Sequence, residues 1–317
     1  MIVVERLDAL PLQGDAPVVA TIGNFDGLHL GHQEIMRQVL ARAAEIRGRG
    51  VVVTFDPHPL RILAPGNAPR LLMTRDQKLG QLEALGIDAV VTLAFDRALA
   101  GMPAESFARD VLCDRLRARE LLIGADFRFG RGRAGDIDLL ARLGEEHGFT
   151  ASTIEHVLFE GERVSASRIR HALGEGRAAD AAALLGRPFA LIGTIVHGEG
   201  RGRSLLVPTA NLAIENEFVP ARGVYISRTR WPDRAHHGLT NVGIRPTFGD
   251  HRLVVESFLP GFTGDLYGQR VELDLLSRLR DERKFESPGD LMAQIEKDIR
   301  AFEEWRERHE STGPSPE

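Results

Sequence analysis

Two histidines three residues apart, His29 and His32, end the run Thr21-Ile22-Gly23-Asn24-Phe25-Asp26-Gly27-Leu28-His29-Leu30-Gly31-His32. Glycines at 23, 27 and 31 allow the backbone to approach a phosphate closely. A helix beginning here offers unpaired N–H groups and the positive end of its dipole to an anion. Two imidazoles at such a mouth can donate to one polyphosphate, where they offset the charge that grows when an α-phosphate is attacked and pyrophosphate leaves. A zinc pair would need further ligands of matching geometry, and only His58 and scattered carboxylates are at hand. No Gly-Lys-Ser/Thr follows the glycines, which argues against a Walker loop.

The elements that must position these residues are legible on either side. Residues 17–23 read as a short buried strand with a glycine stop, and Ile35, Val39, Leu40, Ala43 and Ile46 recur at helical spacing towards Gly48 and Gly50. Val51 to Phe55 is a β-branched strand. Helix 75–85 with strand 88–94, helix 103–117 with strand 120–124, helix 136–147 with a strand near 150–156, and helix 166–174 follow. Strands alternating with helices of this length predict an open α/β domain with a parallel sheet, whose ligands bind at the carboxyl ends of the strands.

Around Gly186-Arg187-Pro188 the pattern changes to β-runs at 189–197, 222–230, 237–243, 252–259 and 270–276, the mark of a small barrel or sandwich. An amphipathic helix from Ser287 closes it, with Leu291, Ile295, Ile299 and Phe302 on one face. The expected division is 1–185, 186–306 and a disordered tail 307–317. A second constellation opens the later half: Gly193-Thr194-Ile195-Val196-His197-Gly198-Glu199-Gly200-Arg201-Gly202-Arg203, then Val207-Pro208-Thr209-Ala210-Asn211. A glycine-rich loop leading to hydroxyl and amide oxygens suits ATP phosphates and Mg²⁺, which prefers hard oxygen ligands. A flexible hairpin followed by a Pro-Thr turn is the plainer alternative.

Composition bounds the setting. Of 317 residues, 43% are hydrophobic, so each half can bury a core. The net charge of −5 argues against nucleic acid or a membrane surface as partner, leaving small molecules; a homo-oligomer is allowed. No apolar run approaches the ~20 residues of a membrane span. The single cysteine, Cys113, rules out an intramolecular disulfide and reads as a core residue. The opening Met1-Ile2-Val3-Val4-Glu5 lacks the layout of a signal peptide, so a cytoplasmic setting is expected.

The first run resembles the signature of the HxGH nucleotidyltransferases, and its fuller form resembles the FMN adenylyltransferase module of bifunctional bacterial riboflavin kinase/FAD synthetases. Later segments agree: Thr54-Phe55-Asp56-Pro57-His58-Pro59, Ile123 to Gly130 with Arg133, Gly135 and Asp136, and Val164 to Arg170. In the second half, Pro208-Thr209-Ala210-Asn211, Gly223-Val224-Tyr225, Asn241 to Phe248, Val255-Glu256-Ser257, Gly264 to Gly268 and Leu279 to Phe285 resemble the flavokinase motifs.

The resemblance implies a Rossmann-like nucleotidyltransferase domain followed by an antiparallel riboflavin kinase barrel with a C-terminal helix. It implies phosphorylation of riboflavin to FMN by Mg·ATP, then adenylylation of FMN by ATP to FAD and pyrophosphate. Implied catalytic residues are His29, His32 and, as base, Glu256. Implied ATP contacts are Gly23, Asn24, Phe25, Gly31, Ser165, Ser167 and Arg170 in the first half, and Gly193, Gly198, Gly202 and Arg203 in the second. Implied flavin contacts are Asp56, Pro57, His58, Asp126, Arg128 and Arg280, and implied Mg²⁺ ligands are Thr209 and Asn211.

Each segment has a plainer structural reading. Asp56 to Pro59 makes a rigid turn by itself, Asp126 to Gly135 a solvated basic loop, Ser165 a helix cap, and Arg280 and Phe285 structural supports. The chain departs from the family pattern at Ala166, Leu206, Val207, Phe258 and Gly261. The departures at Leu206, Val207 and Phe258 motivate one alternative, an FMN adenylyltransferase with a weakened kinase domain. A flavin-binding protein with relic motifs is another. A nucleotidyltransferase acting on a nicotinate or pantetheine phosphate leaves residues 189–305 unexplained.

Overall fold

The computed structural model describes residues 1–6, 9–10, 16–197, 209–247 and 250–310, and divides into two units, Met1–Leu71 with Arg75–Ala166 and Leu72–Thr74 with Ser167–Glu317. In the first unit, strands β1 (Ile2–Val4), β2 (Val18–Ile22), β3 (Arg49–Asp56), β4 (Ala89–Ala94), β5 (Ala118–Gly124) and β6 (Thr150–Ile154) form a parallel sheet. Their order is β1-β4-β3-β2-β5-β6. Every residue of β2 is buried. Val19 packs on one face with Ile35, Val39 and Ala43 of α1 (Leu30–Glu45). Val18, Ala20 and Ile22 join the larger core on the other, with Phe107, Leu112 and Leu140. Burial on both faces is why the strand reads as a continuous apolar run.

This confirms the parallel α/β expectation and adds detail. The chain leaves β2 through β3 and β4, then returns to β5 on the opposite side of β2. Strand order therefore reverses at β2 and β5, the switch point where open α/β sheets take their ligands. Four helices of this unit matter below: α2 (Pro59–Leu63), α3 (Arg75–Ala84), α4 (Arg97–Gly101) and α5 (Ala104–Ser106). The helix expected at 103–117 begins as α5 but continues as a π-helix over Phe107–Cys113, whose wider turn keeps Phe107, Ala108, Val111 and Leu112 against the core. Cys113 at its end is part-buried, and burial pushes its thiol up. Next come α6 (Ile137–His147) and a small hairpin, β7 (Leu158–Phe159) with β8 (Glu162–Arg163). The sequence reading omitted β1, which is three residues long and half-exposed, and this hairpin.

The second unit is a closed antiparallel barrel with a C-terminal helix. α7 (Ala166–Gly174) and α8 (Ala178–Leu185) precede it. Strands β9 (Phe189–Val196), β10 (Thr209–Ile214), β11 (Gly223–Trp231), β12 (Arg234–Thr247), β13 (Asp250–Phe258) and β14 (Arg270–Arg280) close in the order β10-β13-β12-β11-β14-β9. β10 was not among the expected β-runs and sets aside the Pro-Thr turn alternative: Thr209 to Ile214 pair with both β9 and β13 and close the barrel. The glycine loop before it hides it, and only Leu212 of its residues is fully buried. α8, also missed, packs on β9 and β14. Leu72–Thr74 belongs here because Asn216 donates to the Leu72 carbonyl (3.4 Å) while accepting from the Ile192 N–H (2.7 Å). A final helix, α9 (Pro288–Glu310), is capped by the Ser287 hydroxyl and covers Val224, Ile226 and Leu239 with Phe302.

Candidate active sites

β2 ends at Ile22, and the Gly23 N–H still donates to the Val53 carbonyl (3.0 Å), a backbone tie of this chain to β3. Phe25 (φ 48°), Gly27 (φ 80°) and Leu28 (φ 40°) then take left-handed backbone. For Phe25 and Leu28 this costs on the order of 1 kcal/mol each, strain that a surrounding structure must hold. Three bonds hold it: the Lys78 ammonium of α3 donates to the Asn24 carbonyl (2.8 Å), the Thr54 hydroxyl donates to the same carbonyl (3.4 Å), and the Gln33 amide donates to the Leu28 carbonyl (2.7 Å). The turn delivers His29 in extended backbone at the N-cap of α1, and its side chain does not cap the helix. The first turn of α1 carries no carboxylate, so its dipole faces the crevice without an anion of its own.

His29 is buried and its ring stacks on that of His32 at 3.7 Å between centroids and 19° between planes. Phe25 meets His32 edge-on at 5.2 Å. Burial, then the charges of His29, Lys78 and Arg163, hold the His32 imidazole well below its ordinary value near 6.5. His32 is therefore a neutral hydrogen-bonding ring at neutral pH, and its buried Nδ1 has no hydrogen-bond partner among the described residues. Gly31 leaves room for the stack, since a Cβ there would lie 3.3 Å from two atoms of the His29 ring and the ring would have to shift by a few tenths of an ångström. The metal-pair alternative finds no support: among the described residues no three His, Cys, Asp or Glu side chains are placed to hold an ion.

The other expected residues of this half lie on loops at neighbouring strand ends. Asp56 ends β3 and is followed by a cis peptide to Pro57. His58 caps α2, its Nδ1 accepting from the Leu60 N–H (3.2 Å), which leaves the proton on Nε2. After β5, Asp126 pairs with Arg163 of β8 and with His156 (3.3 Å). Arg128 pairs with Asp136 (2.6 Å). The Leu139 N–H that Asp136 caps on α6, then Arg128, hold its carboxyl below the usual range. Asp126 and Arg128 are thus ion-paired here. Ser165 immediately precedes α7 at the end of the first unit, and Ser167 and Arg170 lie on α7 in the second. Lys78, Arg163 and His156 were missed: they stand far in sequence from the histidine run, and nothing in their local pattern marks them.

In the second unit the site is built from strand register. Thr209 and Asn211 share one face of β10. Asn211 stands opposite Glu256 of β13, which stands opposite Asn241 of β12, so three polar side chains form a row across adjacent strands. Burial of Val255, Ser257 and Leu259 assigns their face to the interior and that of Glu256 to the outside. Inside, Ser227, Thr240 and Ser257 share a buried hydroxyl ladder (2.7 and 2.8 Å). Phe258, one of the departures from the resembled pattern, packs against the buried cluster of Val224, Ile226, Leu239 and, from α9, Phe302, which accounts for an apolar residue there.

Gly193 fits because its strand partner is close: a Cβ would lie 2.2 Å from the Ala213 carbonyl oxygen. Gly243 likewise admits Glu282, whose carboxylate accepts from the Ile244 N–H (3.2 Å). Arg280 makes a bidentate pair with the buried Asp298 of α9 (2.7 Å), so it serves to anchor that helix. The hydroxyl of Thr209 and the amide oxygen of Asn211 are hard oxygen donors that fit Mg²⁺ better than a soft metal, with the Glu256 carboxylate beside them on the next strand. Gly198, Gly202, Arg203, Leu206 and Val207 lie outside the described residues.

A parallel α/β unit with paired histidines at its switch point, joined to a six-stranded barrel with an outward carboxylate, defines a two-headed nucleotide-using transferase. The FAD synthetase family model matches residues 13–168 and the riboflavin kinase family model residues 185–306. The Escherichia coli K12 bifunctional riboflavin kinase/FMN adenylyltransferase is 36% identical over 93% of this chain and 94% of its own length. That of Pseudomonas fluorescens is 39% identical over 89% and 91%. The chain belongs to the bifunctional riboflavin kinase/FMN adenylyltransferases, and it carries both enzyme units, which favours two activities over adenylyl transfer alone. A Streptococcus pneumoniae crystal structure described as a macrolide-efflux protein shares the fold, with a TM-score of 0.85 and 27% identity over 96% of this chain and 99% of its own. In the present chain, no helix among the described residues is long and apolar enough to cross a membrane.

Proposed function

We propose that adenylyl transfer takes place at the mouth of α1 and kinase chemistry on the outer face of the barrel. The observation that carries the first assignment is the stacked His29–His32 pair at the strand-order switch. An FMN phosphate oxygen attacks the α-phosphorus of ATP, the bond to the β-phosphate oxygen breaks, and pyrophosphate leaves. His29, His32 and the N–H groups at the start of α1 donate to phosphate oxygens as that charge shifts. Asn24, Phe25, Gly31 and Ser165 shape the ATP side, and Asp56, Pro57, His58, Asp126 and Arg128 the flavin side. Asp126 and Arg128 exchange their present ion pairs for ligand contacts in that reading.

In the second unit Glu256 takes the proton of the riboflavin 5′-hydroxyl as its oxygen attacks the γ-phosphorus and ADP leaves. Thr209 and Asn211 hold Mg²⁺, with Gly193, Gly198, Gly202 and Arg203 lining the phosphates. The ion, when bound, neutralises phosphate charge and orients the transferred group. Dependence of both units on ATP supports a cytoplasmic setting. The assignment is tested by supplying FMN and ATP to a His32→Ala chain. Loss of pyrophosphate release with riboflavin phosphorylation intact is expected; unchanged FAD formation would remove the histidines from the chemistry.

A further inference from the structure

We infer that Lys78 is a positioning residue for adenylyl transfer, clamping the Asn24 carbonyl and thereby the left-handed turn that presents His29 and His32. The inference rests on the adenylyl-transfer reading of this site. Lys78 stands on α3, an element with no part in the recognised motifs, yet its ammonium reaches Asn24 O at 2.8 Å. Asn24 is the residue just before the three left-handed positions Phe25, Gly27 and Leu28. The second donor to that carbonyl, Thr54, is longer at 3.4 Å.

The ammonium is largely buried, which lowers its affinity for a proton, and the carboxylates of Asp26 and Asp56 oppose that and keep a cation there. Asp26 is itself buried within the turn. Lys78 therefore bonds the Asn24 carbonyl while it feels the charge of the Asp26 carboxylate after β2 and of the Asp56 carboxylate of β3. Its charge also reaches His32, which faces His29, Lys78 and Arg163. A cation at this point does two things at once. It holds the strained turn, and it disfavours a second positive charge on the histidine stack.

The test compares Lys78→Met, which keeps the apolar stem, with Lys78→Arg, which keeps the charge. Wild-type FAD formation from FMN and ATP is measured beside them; its absence overturns the site reading and this inference together. With wild type active, Lys78→Met is expected to lower kcat for FAD formation at least about tenfold, since small misplacements of reacting groups carry losses of that order. KM for ATP and FMN should change little. The acid limb of the kcat profile should move to higher pH, because a charge that opposed His32 protonation is gone. Lys78→Arg should recover most of the rate and restore the limb. Riboflavin kinase activity in the same chain and the melting temperature report folding. An unchanged kcat and pH profile overturns the inference. So does a loss confined to KM, or a fall in melting temperature with the pH profile of the remaining activity unmoved.

Discussion

His29 and His32 are held by a loop whose backbone is strained and whose conformation depends on donors from other elements, Lys78 and Thr54 among them. Glu256 and Asn211 are held by the ladder bonds of a closed barrel, where each strand pairs on both edges and relaxed backbone fixes the register. The loop brings two rings within 3.7 Å, closer than neighbouring strands set their side chains. The ladder instead sets a carboxylate between two amides. Preorganisation at the first site is thus bound up with strain, and at the second with topology.

Substitutions can break that comparison at graded strengths. Glu256→Gln, isosteric but unable to accept a proton, should reduce FMN formation about 10³-fold, within the range for general-base loss. FAD formation from supplied FMN should stay within about twofold, since the two activities occupy separate units. Asp298→Asn leaves Arg280 without its carboxylate under α9 and should cost the second unit about 3 kcal/mol, the scale for breaking a mostly buried pair. Urea unfolding measures it, with the first unit's transition unmoved. His29→Ala should lower FAD formation about 10²-fold, as for loss of one donor to developing charge. Gly31→Ala pushes a methyl towards the His29 ring, and a drop of about tenfold is expected from the disturbed stack.

The smallest effect is a pH dependence of stability. His32 binds its proton less readily folded than unfolded, so below the unfolded value near 6.5 the unfolded chain takes up more protons. The first unit should lose stability as pH falls from 6.5 towards the depressed folded value, and His32→Gln should flatten that slope in thermal melts. A slope unchanged by the substitution would contradict the buried neutral ring.

These contrasts also explain what could be read from residues alone. The histidine loop is contiguous, so its glycines, helix start and preceding strand announced one another. Lys78 could not be found that way, since its link to Asn24 exists only after α3 packs. The parallel sheet was legible because strands such as Val18–Ile22 are apolar throughout. β1 was not, being a short edge strand with only one neighbour. In the barrel, Thr209 and Asn211 were identified as polar ligands while their strand went unseen, because the glycines and proline before β10 signal a turn. Their standing opposite Glu256 comes from register, which depends on barrel closure. Phe258 shows the converse: a departure from pattern became intelligible once α9 was seen to cover it.

The central claim, two separable sites in one chain, is tested most directly by mixing. Full-length Glu256→Gln and full-length His29→Ala are each supplied with riboflavin, ATP and Mg²⁺, separately and together, and flavins are resolved by chromatography. The first alone should yield almost no FMN or FAD, the second FMN with little FAD, and the mixture FAD, as FMN released by one chain is adenylylated by the other. Failure of the mixture to form FAD with both chains folded, or FAD at the wild-type rate from either chain alone, would contradict the account.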